Sequence, residues 1–510
     1  MSRPLNSLLD DLSGGELVRG DAAAVVTGVE HDSRQAGVGS LFVAIPGFRV
    51  DGHSFLATVA ANGAAAVIVQ RDHHASWTSL PEGVAAVAVD DTRIALAEAA
   101  AWFYRHPGRE MAVAGITGTD GKTTVSYLLT SVLEAAGARV GRLGTVDVHI
   151  AGATGHNASR MTTPEANEVQ RTLRQMADAG CEYAIVESTS HGLALHRLDH
   201  VEYDIAVLTN VTGDHLDFHQ TYEAYREAKG LLFEALDRSY EKGFPKTSVV
   251  NADDPSANFM LARSESDSIR YGMEVRDGDV LARNVHLRPD GSDFRLVTPR
   301  GSADVSIRLP ALFNVSNALA AAGAGIAAGI DLRTIARGLA ACEGVPGRME
   351  RVDVGQPFGV IVDYAHTGDA VRKVLQVLRD VAAGRLIIVV GAAGDRDPGR
   401  RFGVARAAAD GADFAVFTNE DPRTEDPWAI VSEIGKHAEG AGRVRGSDFI
   451  EVEDRREAIR EALRRASAGD LVLVCGKGHE DSMIYGSEAR PWNDRQVVID
   501  ELSALGFAGA

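Results

Sequence analysis

The apolar residues of this 510-residue chain occur in short continuous runs, separated by longer stretches in which apolar residues recur with a helical period. This alternation predicts parallel β-strands joined by helices that cover both faces of a sheet. Six of the apolar runs lead directly into polar segments, and they are residues 111–116, 184–187, 205–210, 386–390, 414–419 and 471–475. Parallel sheets bind ligands beyond the carboxyl ends of their strands. The sequence therefore predicts an α/β fold with one large active site shared by two α/β domains.

The pattern of apolar runs and turn residues along the chain divides it into three predicted domains. Residues 1–107 hold short apolar runs with turn residues between them, and the polar segment around Pro107 is interpreted as a linker. Residues 108–344 form a first series of strands and helices, and residues 345–510 form a second series after a connection that contains glycine and proline. A chain of this length is too long for a single hydrophobic core, which agrees with this division.

The segment GITGTDGKTT, residues 115–124, is typical of a loop that binds phosphate. It lies between a predicted strand and an amphipathic helix, so backbone N–H groups and the positive end of the helix can converge on phosphate oxygens. The strict pattern has glycine where this chain has Ile116, so the loop is a variant. We expect Lys122 to reach the terminal phosphates of ATP and the Thr123 hydroxyl to complete the shell of a bound Mg2+. The loop residues expected to contact ATP are Gly118, Thr119, Asp120, Gly121, Lys122, Thr123 and Thr124.

Further candidates for a Mg2+ site stand at the ends of the next two predicted strands. Glu187 ends one strand, and Asp214 and His215 follow the other. Mg2+ prefers oxygen ligands and keeps several waters. A lone Glu or His at a strand end is commonly a surface or capping residue, but these lie at the sheet edge where the phosphate loop is predicted. We therefore interpret Glu187 and His215 as candidates for the metal site.

Composition and charge narrow the class of protein. Apolar residues make up 45% of the chain, charged residues 24%, and no run of about 18 apolar residues suggests a membrane span. Three scattered cysteines without metal-binding spacing, and an N-terminus without the features of a signal peptide, favour the cytoplasm. The net charge of -19 argues against nucleic-acid binding. Because the net charge repels anions, an anionic ligand must be bound by local groups such as the phosphate loop, a metal ion and single Arg or Lys residues.

Taken in order, the motifs of the chain resemble those of the Mur ligase family, which builds the peptide stem of bacterial cell wall. The segment HDSRQAGVGSLFVAIPGFRVDGHSF comes first and GITGTDGKTT, VESTSHG, LTNVTGDHLDFH and YREAKGLLF follow. ALFNVSNALAA, GVPGRMERV, VDYAHT, GAAGDRD, EDPRTEDP and GKGHED complete a series that covers nearly the whole chain. The resemblance implies an N-terminal uridine-nucleotide-binding α/β domain, a central P-loop ATPase domain and a C-terminal Rossmann-like domain that binds the amino acid.

The resemblance also implies a reaction. The carboxylate of UDP-N-acetylmuramoyl-L-alanyl-D-glutamate takes the γ-phosphate of ATP to give an acyl phosphate, which the amine of a diamino acid then attacks. It implies catalytic roles for Lys122, Glu187, His215 and Lys229. In this family the lysine that matches Lys229 is carbamylated by CO2 and helps to hold a second Mg2+, so the implied metal ligands are Thr123, Glu187, His215 and carbamylated Lys229. We expect a monomer with small-molecule substrates only.

The remaining implied contacts come from single matched positions. Asn314 and Asp363 match residues that contact adenosine, and Arg348 matches one that contacts phosphate. The alternative for Asn314 and Asn317 is helix capping. Ser33 matches a uridine contact, although the same residues also suit a turn. The positions that match residues binding the sugar-peptide substrate are Thr162, Thr163, Thr189 and Arg197.

The identity of the amino acid depends on the loop that begins at Glu420. Family members that add meso-diaminopimelate typically carry Asp-Asn-Pro-Arg here, whereas this chain has Glu420, Asp421, Pro422 and Arg423. A guanidinium can bind the distal carboxylate of diaminopimelate, and lysine and ornithine lack that group. Asp421 can pair with Arg423 or attract the ammonium of a diamine, so lysine and ornithine stay open. The residues implied at the amino acid are Arg396, Glu420, Asp421, Pro422, Arg423, Gly476 and Glu480.

Two other classes of protein share part of this pattern. A folylpolyglutamate synthase has the same central phosphate loop and acyl-phosphate chemistry, but it needs neither the first domain nor Arg423. A P-loop kinase or nucleotide-gated binding module would turn over or bind ATP without an amino acid. Phosphate release that depends on both the nucleotide sugar and an amino acid distinguishes the ligase from both.

Overall fold

The computed structural model describes residues 1–48, 50–73, 77–78, 80–157, 161–288 and 290–507. It divides into two compact units. The first consists of Met1–Arg283, Arg295–Val305 and Ser316–Ala341, and the second of Asn284–Phe294, Ser306–Val315 and Cys342–Ala510. Within the described residues, no helix is both long and apolar enough to cross a membrane.

The N-terminal part of the first unit is built on a five-stranded sheet of order β2-β7-β6-β5-β4. Strands β4 to β7 are parallel and β2 is antiparallel to β7. The strands are β1 (Arg3–Pro4), β2 (Glu16–Arg19), β3 (Val25–Val26), β4 (Gly28–Glu30), β5 (Ser40–Val43), β6 (Ala66–Gln70) and β7 (Ala85–Val89). The helices are α1 (Asn6–Leu9), α2 (Leu56–Ala61) and α3 (Thr92–Phe103). Strands β5 and β7 are apolar and fully buried because helices cover both faces of this sheet.

The segment that follows α3 is held in place by hydrogen bonds within the first unit. Residues 107–110 form a short 3-10 helix in which Pro107 and Gly108 are buried. The Lys242 ammonium donates to the carbonyl oxygens of Gly108, at 2.7 Å, and Met111, at 2.9 Å, and it lies 2.6 Å from the carboxylate of Asp204. The segment that composition marks as a linker is therefore held by buried polar contacts.

The central sheet has the order β11-β10-β9-β12-β8-β13-β14-β15-β16-β17-β18. Its strands are β8 (Ala112–Thr117), β9 (Val140–Leu143), β10 (Asp147–Ile150), β11 (Ala153–His156), β12 (Tyr183–Glu187), β13 (Ile205–Leu208), β14 (Thr247–Asn251), β15 (Asp267–Gly272), β16 (Val280–Arg288), β17 (Gly291–Thr298) and β18 (Gly301–Ile307). Strands β9, β12, β8, β13, β14 and β15 run parallel. Strand β8 thus lies in the middle of the sheet, with β12 and β13 on either side.

The helices of this region follow the predicted alternation with strands. They are α4 (Lys122–Ala135), α5 (Ala166–Asp178), α6 (Ser190–Ala194), α7 (Leu216–His219), α8 (Tyr222–Arg238), α9 (Ala257–Leu261), α10 (Leu312–Ala327) and α11 (Leu332–Ala341). Thr221 caps α8, where its hydroxyl accepts the N–H of Ala224 at 3.1 Å. This cap fixes where α8 begins, and it thereby fixes the position of Lys229 along the helix.

The second unit carries a six-stranded sheet of order β19-β20-β24-β21-β22-β23, in which every strand after β19 is parallel. The strands are β19 (Glu350–Arg351), β20 (Gly359–Asp363), β21 (Leu386–Val390), β22 (Phe414–Phe417), β23 (Phe449–Glu451) and β24 (Leu471–Cys475), followed by the hairpin β25 (Ser482–Tyr485) and β26 (Glu488–Pro491). The helices are α12 (Gly368–Val381), α13 (Gly399–Gly411), α14 (Pro427–Gly440), α15 (Arg455–Arg465) and α16 (Asp494–Ala504).

The predicted α/β class is confirmed in both sheets. The six apolar runs form β8, β12, β13, β21, β22 and β24, and each is buried along its length apart from the first residue of β12. Within each sheet these strands are parallel, so their polar successors gather at one edge. The domain boundaries near residues 107 and 344 stay a prediction.

Candidate active site

The phosphate loop, residues 118–121, joins β8 to α4 and is held against the end of β13. The backbone N–H groups of Thr119 and Asp120 donate to the carbonyl and side-chain oxygens of Asn210, at 2.8 and 3.0 Å. The Thr209 hydroxyl donates to the carbonyl of Asp120 at 2.6 Å. Gly118 has a φ of 148°, and a Cβ atom there would lie 1.8 Å from the Thr209 Oγ1. This position therefore requires glycine for both its backbone conformation and its close packing.

Two lysines converge on this loop. Lys122, the first residue of α4, donates to the carbonyl oxygens of Gly118 and Thr119, both at 2.9 Å. Lys229, on α8, is 1% exposed and donates to the same Gly118 carbonyl at 2.8 Å. Burial, and secondly the charge of Lys122, hold the pKa of Lys229 well below the ordinary value for lysine. Lys229 is implied by family resemblance alone in the sequence, and in the structure it lies beside the phosphate loop.

Glu187, at the end of β12, is buried among hydroxyl groups. Its Oε2 accepts hydrogen bonds from the Thr123 and Thr145 hydroxyls, each at 2.9 Å, and its Oε1 accepts the backbone N–H of Thr145 at 3.2 Å. A Cβ atom on Gly144 would lie 2.1 Å from Oε1. The carboxylate is thus oriented from three sides toward the first turn of α4.

His215 lies in a group of aromatic rings beside α8 rather than in the hydrogen bonds around Glu187. Its ring is 51% exposed, lies 3.5 Å from Asp214, and packs edge-on against His191 with centroids 4.8 Å apart. His191 stacks on Phe218 at 4.2 Å and contacts His219 at 5.3 Å. Burial and the neighbouring histidines lower the pKa of His191 to about 4. His191 is therefore a neutral ring that supports the position of His215.

The residues expected at the sugar-peptide substrate form one hydrogen-bonded chain leading away from Glu187. The Thr163 hydroxyl donates to the backbone carbonyl of Glu187 at 2.8 Å and lies 3.0 Å from the Thr189 hydroxyl. Thr162 lies 3.0 Å from the Thr145 hydroxyl. Arg197 donates to the carbonyl of Thr163 at 3.2 Å. Ser33 lies in a turn of the N-terminal part, where Asp32 accepts the N–H of Arg34 at 3.0 Å.

Asn314 lies inside α10, in its first turn, and not before the helix where an N-cap residue stands. Its side-chain Nδ2 donates to the carbonyl of Pro310 at 2.7 Å. Asn317, one turn later, stands next to the phosphate loop, because a Cβ atom on Gly121 would lie 2.4 Å from its Oδ1.

In the second unit, Asp363 ends β20 and is buried. Its carboxylate accepts the N–H groups of Met349 and Ala365, each at 2.8 Å. Burial raises the pKa of Asp363, and Arg348 is the foremost opposing influence. The Arg348 guanidinium carbon lies 4.7 Å from the ring centre of Tyr364. Arg348 and Asp363 are therefore neighbours at the carboxyl edge of the sheet.

The loop after β22 brings together the acidic residues predicted at the amino acid. Glu420 is 7% exposed, its Oε2 has no hydrogen-bond partner in the described part of the chain, and burial raises its pKa to about 7. Asp421 accepts hydrogen bonds from the buried Lys477 ammonium at 2.8 Å and from the N–H of Ile484 at 3.0 Å. Glu480 also contacts Lys477. Asp421 therefore pairs with Lys477, and not with Arg423 as one alternative held.

Arg423 lies at the end of this loop in a left-handed conformation, with a φ of 54°. Its backbone N–H donates to Ile484 at 3.0 Å, and its buried side-chain Nε has no hydrogen-bond partner among the described residues. Pro422 is buried, and its carbonyl would lie 2.1 Å from a Cβ atom on Gly394. Arg396, in the preceding loop, is exposed to solvent.

Sequence reasoning missed two residues that organise these clusters. Lys477 lies within the motif GKGHED, but its burial beside Asp421 and Glu480 depends on the hairpin β25–β26, from which the Ile484 N–H also donates to Asp421. Thr145 lies in the short connection between β9 and β10, in a segment without a recognisable motif. A glycine followed by threonine after an apolar strand was the only available signal.

Families of known proteins match almost the whole chain. The Mur ligase family catalytic domain matches residues 25–117, the Mur ligase middle domain matches residues 116–325, and the Mur ligase glutamate ligase domain matches residues 347–478. The middle-domain match contains the phosphate loop, Glu187 and Lys229. The glutamate ligase match contains the loop from Glu420 to Arg423.

Individual relatives match over nearly their full length. A protein of Roseiflexus sp. (strain RS-1), named UDP-N-acetylmuramyl-tripeptide synthetase, is 44% identical over 492 residues, which cover 95% of this chain and 96% of the relative. The UDP-N-acetylmuramoyl-L-alanyl-D-glutamate--2,6-diaminopimelate ligase of Bacillus licheniformis is 41% identical over 494 residues, covering 97% of this chain and 98% of the relative.

A solved structure of a UDP-N-acetylmuramoyl-L-alanyl-D-glutamate--2,6-diaminopimelate ligase superposes with a TM-score of 0.68 at 29% identity, covering 99% of this chain and all of that one. Fold, motifs and relatives agree with one another along the chain. The chain belongs to the Mur ligase family, the ATP-dependent ligases that attach an amino acid through a peptide bond.

Proposed function

We propose that this chain uses ATP to join meso-diaminopimelate to UDP-N-acetylmuramoyl-L-alanyl-D-glutamate during peptidoglycan synthesis. The observation that carries the choice of amino acid is the pairing of Asp421 with Lys477 at 2.8 Å. Because Asp421 pairs with Lys477 and not with Arg423, the Arg423 guanidinium is left to bind a carboxylate on the substrate. Diaminopimelate has such a distal carboxylate, whereas lysine and ornithine do not. The Bacillus licheniformis relative is named for the same amino acid.

The reaction proceeds through an acyl phosphate. An oxygen of the substrate carboxylate attacks the γ-phosphorus, the bond to the β-phosphate oxygen breaks, and ADP leaves. The amine of diaminopimelate then attacks the carbonyl carbon, loses a proton, and expels inorganic phosphate. Lys122 moves from its loop carbonyls onto the phosphates, where its charge stabilises the transferring group. The N–H groups at the start of α4 point to the same phosphates.

The residues around Glu187 fit Mg2+. The Glu187 carboxylate and the hydroxyls of Thr123 and Thr145 form a buried set of oxygen donors, which is the set that Mg2+ prefers. Thr123, Glu187, His215 and a carbamate on Lys229 would hold the metal. When bound, Mg2+ neutralises phosphate charge that builds up in the transition state. In the part of the chain that the structure describes, the Glu187 carboxylate accepts hydrogen bonds from hydroxyl and backbone N–H groups and from no charged donor, which supports its use for a metal.

Lys229 is proposed to react with CO2. Its position against Gly118, buried and close to Lys122, favours the neutral amine, which is the form that attacks CO2. An N–C bond forms, one C=O π bond of CO2 opens and the amine releases one proton, so the neutral amine becomes a carbamate anion with two oxygen donors. Intact-protein mass spectrometry under 13C-labelled CO2 tests this step. Full activity of Lys229→Ala would contradict it.

The remaining roles are proposed by family membership. Adenosine contacts Asn314 and Asp363, and Arg348 contacts phosphate. The nucleotide sugar is held by Ser33, Thr162, Thr163, Thr189 and Arg197. Gly476 and Glu480 bind the distal amino end of diaminopimelate, and Arg396 holds another carboxylate. We also propose that the enzyme works as a cytoplasmic monomer with domains 1–107, 108–344 and 345–510.

The test is an amino-acid panel. Purified protein is incubated with ATP, Mg2+ and the UDP-muramoyl dipeptide, and phosphate release is measured with meso-diaminopimelate, lysine, ornithine or no amino acid. Release that needs both the nucleotide sugar and diaminopimelate supports the proposal. Release with lysine or ornithine in preference would change the amino acid. Turnover without any amino acid would favour a kinase, and dependence on a folate would favour a folylpolyglutamate synthase.

A further inference from the structure

An ion pair without solvent contact lies behind the amino-acid loop of the second unit. Arg455 begins α15 and Asp494 begins α16, and both side chains are 0% exposed. The guanidinium binds the carboxylate in two places, with Nε donating to Oδ1 at 2.8 Å and Nη2 donating to Oδ2 at 2.7 Å. Trp492 also donates to Asp494 Oδ1, at 2.8 Å. Removing two charges from water is costly, so the pair is poorly explained as a source of stability alone.

The remaining donors of Arg455 reach the ends of two strands. Nη2 donates to the carbonyl of Cys475 at 2.7 Å, and Nη1 donates to the carbonyl of Asn419 at 3.3 Å. Cys475 is the last residue of β24, and Asn419 lies two residues beyond β22. Gly476 and Glu420, which are proposed to bind the amino acid, are the residues that follow them directly.

The sheet itself does not connect these two strand ends. The strand order is β24-β21-β22, so β24 and β22 each bond to β21 and are not hydrogen-bonded to each other. Arg455 therefore bridges the ends of β24 and β22 across β21, and it holds the loop after one strand at a fixed distance from the loop after the other. The two loops are in close contact here, because a Cβ atom on Gly476 would lie only 2.4 Å from Glu420 Oε2.

We propose that Arg455 is a positioning residue of the amino-acid site, which clamps the strand ends before Glu420 and Gly476 while Asp494 holds its guanidinium. Its effect on ligation rests on the proposed function, but its effect on the loops does not. The Arg455 side chain is buried from solvent, and Arg455 is not among the residues proposed to contact the substrate. A small displacement of binding groups lowers catalysis steeply, so loss of the clamp is expected to appear in amino-acid binding first.

The informative variant removes both charges and keeps the shape. Arg455→Met alone leaves Asp494 buried without a partner, which endangers folding. Arg455→Met combined with Asp494→Asn leaves no unpaired charge and retains an acceptor for Trp492. The matched control is Arg456→Met, one residue along α15, which also loses ion pairs to α16, at 2.8 Å to Glu501 and 3.2 Å to Asp500. Arg456 makes no contact with either strand end among the hydrogen bonds of the described residues.

Hydrogen exchange measures the clamp directly. Peptides covering residues 418–423 and 476–481 should exchange about tenfold faster in the double variant, with the sheet strands unchanged, and should match the unmodified protein in Arg456→Met. The KM for the amino acid should rise by about tenfold, while the KM for ATP stays within about twofold. Unchanged exchange in both peptides, or equal increases in both KM values, would overturn the proposal. If the unmodified protein ligates no amino acid, the proposed function fails, and the exchange measurement still decides the clamp.

Discussion

Lys122 and Lys229 donate to one acceptor, the carbonyl oxygen of Gly118, at distances of 2.9 and 2.8 Å. One lysine comes from the helix that starts the phosphate loop and the other from a helix more than a hundred residues later in the chain. Burial is the main cause of the low pKa of Lys229, and the charge of the nearby Lys122 is the second. A phosphate bound to the loop would draw Lys122 away and so weaken this second effect.

Lys122→Met should therefore weaken ATP binding and slow the reaction. Its ammonium supplies charge to the transferring phosphoryl group, and removal of such a donor typically lowers kcat by about 10²-fold or more. Calorimetric titration with ATP and the rate of phosphate release measure the two effects. Lys436→Met, an exposed substitution on α14, is the control. ATP affinity and kcat equal to those of the unmodified enzyme would remove Lys122 from the mechanism.

Thr145→Val should impair the use of Mg2+. The variant keeps the shape of the side chain but loses the hydroxyl that donates to Glu187 at 2.9 Å. Groups that orient a metal ligand commonly contribute about tenfold to metal affinity, so the Mg2+ concentration for half-maximal activity should rise about tenfold. Thr145→Ser retains the hydroxyl and should behave as the unmodified enzyme. A Mg2+ dependence that Thr145→Val leaves unchanged would show that Glu187 needs no such support.

Gly476→Ala should destabilise the second unit and weaken binding of the amino acid. The added Cβ would meet Glu420 at 2.4 Å, and the φ of 113° is unfavourable for alanine. Gly469→Ala is a matched control, because its φ of 87° is also positive but no atom lies within 4 Å of the added Cβ. Urea unfolding of the two variants should place Gly476→Ala below the control by about 1–3 kcal/mol. Equal midpoints would mean that the loop can move away from Glu420 at no cost.

Glu420 should make stability depend on pH. Burial raises the pKa of Glu420 to about 7, so between its unfolded pKa near 4.5 and this value the folded protein holds a proton that the unfolded chain has released. The stabilisation is complete below the unfolded pKa and is lost as the pH rises through 7. Between pH 5 and pH 8, the free energy of unfolding should fall by roughly 2–3 kcal/mol more in the unmodified protein than in Glu420→Gln.

Urea unfolding at the two pH values measures this difference. Glu488→Gln, on the exposed hairpin strand β26, serves as the control and should retain the full dependence. Parallel pH curves for the unmodified protein and Glu420→Gln would show that Glu420 stays ionised in the fold.

Asp421→Asn should leave the choice of amino acid nearly unchanged. Asp421 is paired with Lys477, so its negative charge is partly balanced and the substitution changes the electrostatic potential near Arg423 only a little. The ratio of kcat/KM values for diaminopimelate and lysine should change by less than about threefold, which corresponds to under 1 kcal/mol. A switch of tenfold or more toward diaminopimelate would show that the Asp421 charge reaches the substrate after all; the size of the switch would then be about 1.4 kcal/mol or more.

The sequence predicts much of the fold because local patterns determine it. Apolar runs such as residues 386–390 can only be buried strands, and the glycine pattern before Lys122 can only be satisfied where backbone approaches a partner closely. The contacts that finish the site are different in kind. Thr145 reaches Glu187, and Lys477 reaches Asp421, across distances in sequence of 42 and 56 residues. Such contacts depend on the packing of separate elements, which no local pattern records.

The segment with proline that composition marks as a linker also illustrates this limit. Its polar residues suggest an exposed connection. However, Lys242, which follows α8 in the chain, donates hydrogen bonds to the carbonyl oxygens of Gly108 and Met111. A Cβ atom on Gly108 would lie 2.2 Å from the carbonyl of Val201, so the backbone is in tight contact there as well. The side chains of Arg109 and Glu110 are exposed, but the backbone of Pro107 and Gly108 is buried, and a truncated chain that starts after this segment would leave the Lys242 ammonium without the Gly108 carbonyl that it binds. Fragments intended for separate expression are better cut elsewhere.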